Sequence, residues 1–203
     1  MRIPRMLRAG ALIAAAVILG LLAVQGTYAL WNASTSASPG TVSSASFDVS
    51  LTASPSGQAT NMSLPGGTSA TINLGQPTSL APGTPVYASL VVGNNSNAGG
   101  TFSTSVTAGQ AAVSNVGYGI LAQYVTVSAK FASAVAECYS AAGYAQLTAA
   151  GLTSASVPKA ASTVLCIQVS LSSSTSMLLK GQAVNISLPL TARQLCGVPS
   201  GCA

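Results

Sequence analysis

The side chains able to do acid–base or metal chemistry are few. Asp48 and Glu137 are the only carboxylates in the 203 residues, and histidine is absent. Without histidine there is no Ser-His-Asp triad and no His-Glu-x-x-His zinc site. A glycosidase pair would need both acids together, about 5–10 Å apart, and they stand far apart in the chain. Serines are plentiful and Lys130, Lys159 and Lys180 are present, yet no motif pairs a serine with a lysine. Gly99-Gly100 lacks the Gly-Lys-Ser/Thr that makes a phosphate loop, so it is a turn. The residues therefore point to a non-enzymatic protein with no cofactor and no metal.

The remaining chemistry is that of sulfur. Cys138, Cys166, Cys196 and Cys202 are the only cysteines. Zinc is disfavoured because no Cys-x-x-Cys pair and no histidine accompany them. In an exported chain four cysteines read as two disulfides, with three possible pairings. Proximity favours Cys138 with Cys166 and Cys196 with Cys202.

Export is itself written at the start of the chain. Arg2, Arg5 and Arg8 precede an uncharged run from Ala9 to Val24, and Thr27 and Ala29 supply small residues beyond it. That order describes a secretory signal peptide over residues 1–29, cut between Ala29 and Leu30. The apolar run is shorter than the roughly 20 residues that span a bilayer. The membrane is thus involved only through the precursor leader. After cleavage Lys130, Lys159, Lys180 and Arg193 face Asp48 and Glu137, a net charge of +2 against +5 for the whole sequence. No basic run remains for nucleic acid.

Only 4% of residues are charged, against about 25% in a typical domain. Hydrophobicity is high, so the chain should fold under a surface of hydroxyls and amides. Such a surface offers little repulsion between copies.

These residues must be positioned by strands. Phe47, Val49 and Leu51 alternate with Asp48, Ser50 and Thr52, the period of a half-buried strand. Short runs follow at Met62–Leu64 and Ile72–Leu74. Val86 to Val92 is a strong strand. Asn94 to Gly100 is turn chemistry, which predicts a hairpin with Phe102 to Thr107. Leu121 to Phe131, Val164 to Leu171 and Val184 to Leu190 complete eight or nine strands. Tyr139 to Leu152 is Ala-rich and is the one helical candidate. The expected fold is all-β, an antiparallel two-sheet sandwich of jelly-roll type over residues 45–203.

Residues 30–44 form a polar N-terminal arm, beginning Leu30, Trp31, Asn32, Ala33, Ser34 and Thr35. An open sheet edge with few charges invites another strand. The arm is therefore a candidate donor strand, with Leu30 and Trp31 as its anchor. Asn32, Asn61, Asn94 and Asn185 each open an Asn-x-Ser sequon. Asn94, in the expected turn, is the favoured glycan site, and Asn185, in an expected strand, the least favoured. Tyr118, Tyr124, Tyr139 and Tyr144 offer rings for sugar stacking or for the core.

Several stretches together resemble the TasA/camelysin-like family of exported fibre proteins. Gly26-Thr27-Tyr28-Ala29-Leu30-Trp31 is similar to that family's cleavage region. Thr41 to Leu51, with Asp48 on the motif aspartate, resembles its first-strand motif. Leu80-Ala81-Pro82-Gly83-Thr84, then Val86 to Asn94-Asn95-Ser96, resembles its Pro-Gly-Asp turn, strand and Asn-rich turn. Thr84 departs from the usual acid. The resemblance covers the leader and the first half of the processed chain. It implies a jelly-roll subunit of an extracellular filament, in biofilm matrix or cell bundling. Its partner is itself, as a head-to-tail homopolymer joined by donor-strand insertion, with other matrix components as further partners. The alternative is a monomeric cell-surface adhesin or carbohydrate-binding module.

Overall fold

The computed structural model describes residues 46–62, 64, 68–74, 80–97 and 102–195. All lie within one compact unit, Ser44–Ala203. The leader, the cleavage site at Ala29 and Leu30, the arm, Asn32, Cys196 and Cys202 fall outside the described residues.

The fold is all-β, with antiparallel ladders and no α-helix among the described residues. The strands are β1 (Val49–Ser54), β2 (Ala59–Asn61), β3 (Val86–Asn94), β4 (Ser103–Ala108), β5 (Ala112–Asn115), β6 (Val125–Ala132), β7 (Ala145–Gln146), β8 (Leu152–Thr153), β9 (Val157–Pro158), β10 (Ser162–Leu171), β11 (Val184–Ser187) and β12 (Leu190–Leu195). One sheet runs β2-β1-β3-β10-β6-β7. A second runs β12-β4-β8, with β9 also on β4, and β11 pairs β5.

Alternation explains the layers. Val49, Leu51 and Ala53 of β1 point inward, as do Leu90 and Val92 of β3, Val127 and Ala129 of β6, and Leu165 and Ile167 of β10. They meet Val106 and Ala108 of β4, with Leu152, Leu190 and Ala192 packed alongside. Two sheets thus enclose one apolar core, as in a β-sandwich. Each fully buried Leu, Ile or Val contributes about 1.5–3 kcal/mol.

β10 is covered on both faces. Leu165 and Ile167 face the core, while Val164 and Cys166 are buried on the opposite side against Cys138, with Val135, Val91 and Tyr144 nearby. The cover is a short 3-10 turn, Val135–Tyr139, on the excursion between β6 and β7. The helix expected over 139–152 is absent. Cys138 is pinned to the sheet, and Gly143 and Gly151 take positive φ, +82° and +70°. At Gly151 an added Cβ would also lie 3.0 Å from the Ala108 carbonyl, so the chain there hugs β4 too closely for a side chain.

The expected β3–β4 hairpin is also corrected. β3 pairs β1 and β10, whereas β4 pairs β12, β8 and β9. β3 and β4, consecutive in the chain, thus lie in different sheets. Buried Asn94, the last residue of β3, ties the two sheets: its Nδ2 donates to the Val157 carbonyl at 3.1 Å and the Phe102 carbonyl at 3.5 Å. The Ile72–Leu74 run forms no strand and packs its apolar side chains on the core.

Candidate functional site

Any strand-donor chemistry needs an unpaired edge. The large sheet ends in short strands, three residues of β2 and two of β7. The small sheet ends differently. β12 pairs β4 from Leu190↔Ala108 to Leu195↔Ser103, and β11 pairs β5 from Val184↔Asn115 to Ser187↔Ala112. The two ladders are one ribbon broken by a bulge, since Gly109, Gln110 and Ala111 oppose only Leu188 and Pro189. Gly109 N donates to the Pro189 carbonyl at 2.9 Å, while Pro189 has no N–H to return. Among the described residues the outer side of β11 and β12 has no strand partner. Its one charge is Arg193, exposed. This is the longest open edge described, blunted only by one proline and one arginine.

A second surface lies over the outer face of the large sheet. Tyr87 of β3 meets Tyr139 edge-on at 6.3 Å and Tyr144 at 5.8 Å. Lys130 of β6 sits 4.6 Å from the Tyr144 ring centroid, and its Nζ donates to the carbonyls of Ser140 and Ala142. Gln168 Nε2 donates to Tyr87 Oη at 3.3 Å. Tyr144 Oη donates to the Cys138 carbonyl at 2.6 Å. Burial, and then the neighbouring Tyr87 hydroxyl, push the Tyr144 phenol up to about 12. Tyr139 is 61% exposed.

The cluster stands on the disulfide. Cys138 and Cys166 are bonded, with Cα atoms 5.0 Å apart, as proximity predicted. Glu137 holds the start of the same turn: Ser133 Oγ and Ala134 N both donate to its Oε1. The Ser133 hydroxyl chiefly holds this carboxyl below its usual range, with the Ala134 and Ser133 amides and Lys130 assisting against desolvation. Asp48 has a different environment. Its amide donates to Ser96 Oγ and its carbonyl accepts from Asn95 N. Asp48 directly precedes β1 and Glu137 lies in the Val135–Tyr139 turn, and among the described residues no three His, Cys, Asp or Glu side chains group as a metal site.

The sequons rank opposite to expectation in accessibility. Asn94 is 1% exposed with its amide committed, because it ends β3 rather than occupying the turn. Asn61 and Asn185 are exposed on β2 and β11. The tyrosines also divide. Tyr139 and Tyr144 join Tyr87, which strand alternation had hidden, whereas Tyr118 stands fully exposed on another loop.

Among the described residues no helix is long and apolar enough to cross a membrane. Comparison with protein-family models, with curated proteins and with solved structures found no match to this chain.

Proposed function

We propose that the protein is a non-enzymatic structural subunit of an extracellular filament, secreted by cleavage after Ala29 and joined by donor-strand complementation on a jelly-roll sandwich. The open β11–β12 edge carries this reading. It offers unpaired backbone donors and acceptors with one charge to oppose a neighbour. The arm from Leu30 supplies a strand from another copy, anchored by Leu30 and Trp31. Such contacts run head to tail without closing, so the product is a fibre. The disulfide supports exposure to an oxidising compartment.

Trp31→Asp tests the anchor. Assembly, followed by light scattering, should weaken strongly while near-ultraviolet circular dichroism stays unchanged. Normal assembly by this variant refutes the anchor.

One observation favours a second reading, a carbohydrate-binding surface protein: exposed Tyr139 beside Tyr87 and Tyr144. A Tyr139→Ala variant that loses glycan binding, in a chain that never polymerises, would select it.

A further inference from the structure

Four Asn-x-Ser sequons stand in the sequence, and strand assembly uses none of their side chains. The fold separates them. Asn94 is buried at the end of β3 with its amide donating to the Val157 and Phe102 carbonyls, so a sugar on that nitrogen would break both bonds and the packing around them. Asn32 lies outside the described residues, as does Ser63, which completes the sequon of exposed Asn61. Asn185, Ile186 and Ser187 are all described, and all three are exposed.

The ladder fixes where they point. β11 pairs β5 with Asn185↔Ser114, Ile186↔Val113 and Ser187↔Ala112. Val113 packs on the core. Opposed residues share a face, and successive residues alternate between faces. Asn185 and Ser187 therefore stand on the outer face of the ribbon with Ser114 and Ala112. Those two neighbours are small and exposed. Among the described residues no hydrogen bond holds the Asn185 amide. Its nitrogen can thus carry a bulky group without loss to the folded state. The hydroxyl that completes the sequon lies on the same face, two residues on.

We infer that Asn185 is a glycosylation site, bearing an oligosaccharide transferred from a lipid-linked phosphate donor during export. Asn185 Nδ2 attacks the anomeric carbon of the donor sugar. The C–N bond forms and the C–O bond to phosphate breaks. The lipid phosphate leaves with the electron pair, and one amide proton passes to a base of the transferase. The acceptor segment is open to such an enzyme until late, because β11 is four residues long and pairs only β5. The product is a hydroxyl-rich cover, which is bulky and solubilising, on a chain with only 4% charged residues. The glycan stands off the face of the ribbon, whereas the unpaired backbone groups lie along its edge. The inference therefore rests on the export reading and is independent of the filament reading.

The protein would be purified from the medium, the envelope and the cytoplasm of its producing cells and digested with trypsin. Cleavage after Lys180 and Arg193 releases residues 181–193, which hold Asn185 and none of the other three sequons. The expected result is a 181–193 peptide from exported protein that is heavier by whole sugar residues, with fragmentation placing them on Asn185. Asn185→Gln and Ser187→Ala should each give the bare peptide, while Ser187→Thr, which keeps the hydroxyl, should retain the glycan. Both positions are exposed, and circular dichroism checks the fold of each variant. A bare peptide from exported wild-type protein would overturn the inference and leave export standing. A glycan that survives Asn185→Gln would place the sugar on a hydroxyl and overturn the inference too. Protein confined to the cytoplasm would overturn the export reading and the inference with it.

Discussion

Replacing both Cys138 and Cys166 by alanine should be the most costly change on the outer face of the large sheet. The bond spans a sequence separation of 28. Closing a loop of that size restricts the unfolded chain by about 3–4 kcal/mol. The native side adds to this, because the bond holds the Val135–Tyr139 turn over Val164 and positions the Cys138 carbonyl that accepts from Tyr144. A double alanine variant is preferable to reductant, since it leaves Cys196 and Cys202 untouched. Urea unfolding measures the effect. With a slope of about 2 kcal/mol/M, the midpoint should fall by roughly 1.5–2 M. The near-ultraviolet signal of the Tyr87, Tyr139 and Tyr144 cluster should weaken at the same time. A loss below about 1 kcal/mol with that signal intact would refute the account, showing that the excursion packs on β10 without its covalent tie.

Two further outcomes follow from individual polar side chains. Thr104 Oγ1 is buried without a hydrogen-bond partner, so Thr104→Val should raise stability by about 1 kcal/mol, and a loss in urea unfolding would contradict the packing of β4. The Tyr144 phenol is raised from 10.0 to about 12, which means that the folded state disfavours its ionised form. Its stabilising contribution is fully present below about pH 10 and is lost as pH rises through 12. Thermal melts across that window should show stability falling, and Tyr144→Phe should flatten the fall while losing the bond to Cys138. An unchanged pH profile in that variant would remove Tyr144 as the cause.

Strand periodicity made β1, β3 and β10 legible, because Val49, Leu51, Leu90, Val92, Leu165 and Ile167 alternate toward one core. The Cys138–Cys166 bond was legible from proximity. Sheet membership was not. The Asn94–Gly100 residues suggest a turn, but not that β4 will join β12, whose partner residues lie 82 to 92 positions later. The Ala-rich stretch over 139–152 suggested a helix because propensity is local, while the disulfide and the left-handed Gly143 and Gly151 are tertiary and backbone constraints. Tyr87 was hidden inside a strong strand whose outer face gains a cover only once Cys138 reaches Cys166.

The proposed filament assembles through the arm. Negative-stain electron microscopy of residues 30–203 beside residues 41–203, both under oxidising conditions, tests it most directly. Donor-strand assembly predicts fibres from the longer chain and monomers from the shorter. Fibres from both, or monomers from both, would contradict it.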